Sequence, residues 1–220
     1  MKIAKIMAKM SKVPHQKDCD MCGLRYDCKQ VVVSDGLIRP NSFVAIGEAP
    51  GENEDNEGVP FVGRSGQLLR SSFKKYGKMN LGEEIPILNT VSCHPPFNRR
   101  PSEEEIEACH WWLRRNLAII NPRFVIAVGR IAAMTFVKGT PVLETFYPND
   151  ELKKEWRGGF YNFYVYMIWH PSYILRAHRP DVYEKFARMI GKFACSKNVI
   201  HLKNNSRFRR KYAKRSHQYR

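Results

Sequence analysis

The chain has 220 residues, 43% of them hydrophobic and 12% aromatic, and a formal net charge of +16. That length supports one substantial core and favours a single domain. No run of about 18 apolar residues occurs, which speaks against a helical membrane span, and six cysteines in a chain this long are too few for a secreted disulfide scaffold. The charge is unevenly placed: no Asp or Glu follows Glu184, and the twelve Lys and Arg beyond it leave the first 184 residues a net of only +4. A basic stretch of that length, interleaved with Phe208, Tyr212 and Tyr219, is read as a polyanion-binding tail with nucleic acid as the partner.

In chain order, residues 1–18 form a basic segment in which Ile3, Ile6, Met7 and Met10 recur at helical spacing, without the continuous apolar stretch of a signal peptide. The expected location is therefore cytoplasmic and nucleoid-associated. Cys19-x-x-Cys22 follows, a spacing that lets two sulfurs turn towards one metal. A β-branched run over 43–46 reads as a first strand and opens into Gly47-Glu48-Ala49-Pro50-Gly51. Residues 66–76 carry Leu68, Leu69 and Phe73 on one helical face, with Gly77 as the stop. A second strand, Ile87-Leu88, ends at Asn89. Ser102-Glu103-Glu104-Glu105 is a capping box that starts a helix running to about Leu117. The continuous apolar run 124–128 is a strand buried on both faces, and a short helix spans 131–137. Residues 140–159 read as an irregular loop or ribbon. A fourth strand, 160–169, ends at His170-Pro171-Ser172, and Asp181-x-x-Glu184 caps a final helix faced by Val182, Phe186, Met189, Ile190 and Phe193. This alternation predicts one α/β domain over 19–196, with a mostly parallel four-stranded sheet between helices, and a basic tail over 197–220.

Three of those strands end in polar or glycine-rich residues, and open α/β sheets build their sites at the carboxyl ends of strands. Glu48, Asn89 and His170 are thereby expected in one crevice. Cys93 and Cys109 complete a four-thiolate set with Cys19 and Cys22, suited to zinc or to an iron–sulfur cluster, which spacing alone does not separate. Cys28 and Cys195 fit no ligand spacing.

Gly47-Glu-Ala-Pro-Gly-Glu-Asn-Glu-Asp with Gly58-Val-Pro-Phe-Val-Gly-Arg-Ser-Gly-Gln-Leu-Leu69 resembles the first motif of the family 4 uracil-DNA glycosylases. Asn89-Thr-Val-Ser-Cys-His-Pro-Pro-Phe-Asn-Arg-Arg-Pro101 is similar to their second block, and His170-Pro-Ser-Tyr-Ile-Leu-Arg176 to their last. The resemblance covers roughly residues 19–193. It implies a monomeric DNA glycosylase that cuts the N-glycosidic bond of a flipped-out uracil and carries a 4Fe–4S cluster on Cys19, Cys22, Cys93 and Cys109. Departures are His94 where a basic residue is usual, Cys28 where Arg is common, and no glycine around Ser34.

The same resemblance assigns roles. Gly47, Glu48, Ala49, Gly51, Phe61, Asn89 and His170 line the base pocket. Phe61 stacks on the base, the Asn89 amide matches N3–H and O4 of uracil, and His170 stabilises charge growing on the leaving base. The water activator is not given by the resemblance, since Ala49 stands where the best-known uracil glycosylases place an Asp. Of the nearby carboxylates Glu48, Glu54 and Asp55, Glu54 is the expected one. A solvated acidic cluster, or Asp55 as a helix cap, is the bland alternative for that turn. Arg64, Ser172, Tyr173, Leu175 and Arg176 are expected against DNA, with Tyr173, Ile174 and Leu175 as wedge candidates. Gly51, small where a Tyr elsewhere blocks C5, leaves open a glycosylase for a C5-modified pyrimidine. A non-catalytic iron–sulfur DNA-binding module is the third reading.

Overall fold

A computed structural model describes residues 18–36, 40, 41, 43–157 and 161–200, the last five by backbone alone. The expected N-terminal amphipathic helix and nearly all of the basic tail lie outside the described residues. The sheet has five strands rather than four: β1 (Phe43–Gly47), β2 (Ile87–Asn89), β3 (Phe124–Val128), β4 (Phe146–Tyr147) and β5 (Tyr164–Ile168), in the order β2-β1-β3-β5-β4. The first four in that order pair in parallel, and β4 runs antiparallel to β5. The extra strand falls inside the stretch expected to be irregular. Two residues are too short to show a period, and β4 is held by a long-range contact, the Phe146 ring lying 4.4 Å from that of Tyr166.

Alternate side chains of β1, β3 and β5 enter opposite cores. Ala45, Ile126 and Tyr166 face one helical layer, while Val44, Ile46, Val125 and Val165 face the other. Both faces are covered, as uninterrupted apolar strands require. The first layer consists of α3 (Arg64–Ser72), its π-helical continuation Phe73–Gly77, and α7 (Pro180–Ile200). Phe186, Ile190 and Phe193 line one face of α7 and are fully buried, each contributing about 1.5–3 kcal/mol. The second layer is α4 (Glu103–Ile120) and α5 (Arg130–Phe136). Shorter helices are α1 (Leu24–Asp27), α2 (Glu52–Glu57) and α6 (Pro171–Ala177). Among the described residues no helix is long and apolar enough to cross a membrane.

Ser102 and Glu105 form the expected capping box on α4. Two caps differ from expectation. The left-handed residue that ends the first long helix is Lys78, φ 53°, not Gly77. Asp181 lies one residue inside α7, which Pro180 opens, and its carboxylate takes the Arg179 guanidinium at 2.9 and 3.0 Å.

Candidate active site and thiol cavity

The crevice is built where β1, β2, β3 and β5 end. Gly47 and Asn89 are register partners, and the Gly47 carbonyl accepts both the Thr90 N–H (2.9 Å) and the Thr90 hydroxyl (3.0 Å). A Cβ on Gly47 would collide with the Asn89 Oδ1 and the Phe61 ring. Only glycine lets strand, amide and ring meet there. Asn89 is 6% exposed, and its Oδ1 is buried with no hydrogen-bond partner. Buried polar atoms are normally satisfied, so an orphaned carbonyl oxygen in a crevice marks a place for an incoming donor.

Phe61 is buried against this amide in a left-handed conformation, φ 59°. A bulky residue adopts it only when neighbours impose it. The neighbours are Gly66, where a Cβ would overlap the Phe61 carbonyl, and Arg70. Arg70 Nε donates to the Phe61 carbonyl (2.9 Å), Nη2 to Pro60 (2.8 Å) and Nη1 to Leu81 (2.8 Å), and the guanidinium pairs with Asp35. Arg70 and Asp35 therefore position Phe61, a task that nothing in their sequence spacing announces.

His170 caps α6, its ring 6.3 Å from that of Phe61. The Ser172 backbone N–H donates to His170 Nδ1 (3.2 Å), and the Ser172 hydroxyl lies 2.7 Å from it. An amide N–H can only donate, so Nδ1 is unprotonated and Nε2 carries the proton. Burial, assisted by the Arg176 charge and opposed by Glu54, pushes the imidazole pKa down to about 4. At neutral pH His170 is an uncharged Nε2–H donor.

Glu54 is buried, and its two oxygens accept the N–H groups of Gly51 (3.0 Å) and Gly63 (2.7 Å). The turn and the segment carrying Phe61 are thus tied through one carboxylate, which keeps lone pairs for a further donor. A Cβ on Gly51 would lie 2.7 Å from Glu54 Oε2, so glycine there makes room for this carboxylate. Asp55 is neither a surface charge nor a cap. It is 4% exposed and accepts the backbone N–H groups of Lys29 (3.0 Å) and Gln30 (3.1 Å), latching the cysteine-bearing segment to the crevice. Burial pushes the Glu48 carboxyl pKa up, against the pull of Arg100. Ala49 packs on a small apolar cluster separate from the two sheet cores, formed by Leu24, Cys28, Val31, Val91 and Cys93.

That cluster leads to the thiols. Cys19, Cys22, Cys93 and Cys109 line one cavity together with Leu24 and Trp112. Burial pushes the Cys93 and Cys109 thiols up, Cys109 to about 11, and the neighbouring cysteines raise both further. Cys28, expected to be a bland core residue, is buried in the same cluster as Cys93, and its thiol donates to the Arg25 carbonyl (3.6 Å). Among the described residues no three His, Cys, Asp or Glu side chains converge as a site for a single metal ion.

Residues 39–194 match the model of the uracil DNA glycosylase superfamily. The chain is 39% identical to a type-4 uracil-DNA glycosylase of Thermotoga maritima over 73% of its own length and 79% of that protein. It is 35% identical to a type-4 uracil-DNA glycosylase of Saccharolobus solfataricus over 71% and 72% of the two chains. A third such protein, from Pyrobaculum aerophilum, is 39% identical over 56% of this chain and 61% of the relative. The chain belongs to the uracil-DNA glycosylase superfamily, in its type-4 branch.

Within this type-4 glycosylase fold the expected DNA-facing residues separate. Arg64 and Arg176 are exposed, Tyr173 is exposed, and Leu175 is half-buried. Ile174 is not available as a wedge, because it is buried in the core under α6. The Ser172 hydroxyl is engaged by His170. The structure brings Gly47, Phe61, Asn89, His170 and Glu54 together, and adds Arg70, Asp35 and Asp55 as supports.

Proposed function

We propose that this uracil-DNA glycosylase is monofunctional, hydrolysing the N-glycosidic bond of a flipped-out uracil in DNA and leaving an abasic site. The observation that carries this reading is the buried, unpartnered Oδ1 of Asn89 facing Gly47 and Phe61. A flipped uracil stacked on Phe61 offers N3–H to that oxygen, and the Asn89 amide N–H reaches O4. Cytosine turns a lone pair on N3 towards the same oxygen and leaves it unsatisfied, a mismatch that polar sites reject strongly.

His170 Nε2–H then donates to O2, where negative charge grows as the N1–C1′ bond breaks with its electron pair leaving on the base. A preorganised neutral donor stabilises that charge without a proton transfer. Water adds to C1′, and its proton passes to the free lone pair of Glu54. The assembled groups include no amine, so no Schiff base forms and the strand stays intact. Gly51 makes room for the Glu54 carboxylate, so its small size has a reason that does not require a C5 substituent. A merely binding module has no use for a matched Asn89 and His170.

Cys19, Cys22, Cys93 and Cys109 are proposed to hold a 4Fe–4S cluster in a structural role. Four thiols around one cavity, with Cys93 and Cys109 desolvated by burial, suit a group whose positive charge stabilises their thiolates. When bound, the cluster supplies a cross-link between the segment before α1, the loop after β2, and α4. The protein is proposed to act inside the cell as a monomer, since one chain supplies every pocket group, with the tail beyond residue 196 on DNA phosphates.

The test incubates the protein with a duplex carrying one uracil. Free uracil and a strand break that appears only after alkali treatment are expected. A covalent adduct trapped by borohydride would contradict the monofunctional reading.

A further inference from the structure

The loop joining β2 to α4 carries a side chain that the described residues leave uncovered. Phe97 is 100% exposed, the only large apolar side chain so displayed among the described residues. Its backbone is left-handed, φ 56° and ψ 24°, and Asn98 follows at φ 54°. The exposure gives no burial, and the conformation disfavours any bulky residue. Glycine would avoid the strained conformation with no burial lost, so Phe97 contributes to something outside the described fold.

The loop holds Phe97 firmly. The Asn98 and Arg99 N–H groups donate to the Pro95 and Pro96 carbonyls at 3.1 Å. His94 Nε2 lies 3.1 Å from Asn98 Oδ1, and Arg99 donates twice to Glu105 at 2.6 and 2.9 Å. Phe97 is thus presented on a braced turn, with Arg99 and Arg100 exposed beside it. The turn stands at the mouth of the crevice: Asn98 Oδ1 is 3.7 Å from where a Gly51 Cβ would lie, and Arg100 bears on Glu48. The strand order puts this loop on the β2 flank, and Tyr173 and Leu175 of α6 on the β5 flank, with β1 and β3 between them.

We infer that Phe97 is a second DNA wedge, entering the duplex from the flank opposite α6 and stacking on a base beside the vacated position. The inference rests on the proposed reaction, which vacates that position. An exposed flat ring with flanking arginines, on a turn at the mouth of a base-flipping pocket, matches the chemistry of a base stack next to phosphates. Gripping the gap from both flanks makes the extrahelical state easier to hold.

The test compares full-length wild type, Phe97→Gly and Phe97→Trp. Binding is measured to a duplex carrying a tetrahydrofuran abasic analogue and to the matching single strand, with melting temperatures in parallel. Phe97→Gly is expected to weaken duplex binding about tenfold more than single-strand binding, the size of one lost base–aromatic stack. Its Tm is expected to rise by about 2–4 °C as the left-handed strain is relieved. Phe97→Trp is expected to retain the duplex preference. Equal losses on duplex and single strand, unchanged duplex affinity, or a Tm drop typical of a core residue would each overturn the inference. Wild type that binds the duplex but releases no uracil would overturn the proposed reaction instead, and the binding comparison would still decide the role of Phe97.

Discussion

Acidifying the medium probes the neutral state of His170, on which the proposed charge stabilisation depends. An imidazole in water titrates near 6.5, whereas burial and the Arg176 charge hold His170 at about 4. That gap corresponds to about 3 kcal/mol. The unfolded chain takes up the proton near pH 6.5 and the folded one only near 4, so stability falls as pH drops through that window and levels off below it. Above pH 6.5 the residue adds no pH dependence. Single-turnover uracil release is expected to stay flat, as far as His170 governs it, from pH 8 to about 5. Urea midpoints are expected to show wild type losing about 3 kcal/mol relative to His170→Asn between pH 7 and 4. The variant itself should release uracil about 10²–10³-fold more slowly. An acidic limb near pH 6.5 in wild type that disappears in His170→Asn would refute the neutral, Nε2-protonated assignment.

Three other outcomes follow from the same geometry. Arg70→Lys keeps the charge beside Asp35 but cannot hold three carbonyls at once. It is expected to lower the single-turnover rate about tenfold, with much of the loss recovered on substrates whose base stacks more strongly, because Phe61 loses its fixed orientation. Equal rates in wild type and variant would show that Phe61 holds its conformation without the clamp. Metal analysis after anaerobic purification is expected to find iron and acid-labile sulfide, absent from Cys19→Ser together with a large fall in Tm. One zinc and no iron would sink the cluster assignment. Removing residues 197–220 deletes nine Lys or Arg and no acid. If three of them touch phosphates, the log–log salt slope of duplex binding becomes shallower by about 2.7. Identical slopes would make the tail a spectator.

The parts of this architecture that were legible in the sequence are those fixed by near neighbours. The four parallel strands were visible as apolar runs, and the Ser102–Glu105 cap as a four-residue signature. Gly47, Asn89 and His170 could be gathered because each ends a strand, and parallel strands end on one edge. What stayed hidden depends on distant partners. Phe61 becomes left-handed only under Gly66 and Arg70, and Arg70 reads as an ordinary helical cation until Asp35 and Leu81 arrive from elsewhere in the chain. Asp55 sits in an acidic run whose composition suggests solvent, yet it takes backbone N–H groups from 25 and 26 residues away. β4 is too short to carry a period, and Ile174 looked exposed because a three-residue apolar string does not say which member faces the core. Phe97 gave no signal, since a lone aromatic between prolines and Asn is compatible with burial or display.

The most direct measurement quantifies the base released by wild type and Asn89→Leu from matched duplexes carrying uracil or cytosine at one position. Leu matches Asn in shape, removes the orphaned oxygen and leaves Phe61 and His170 in place. Wild type is expected to release uracil and no cytosine. The variant is expected to lose uracil release by about 10²–10³-fold while its Tm holds or rises, because a buried unsatisfied carbonyl has been removed. Uracil release by Asn89→Leu at the wild-type rate, or cytosine release by wild type, would contradict the assignment of this crevice.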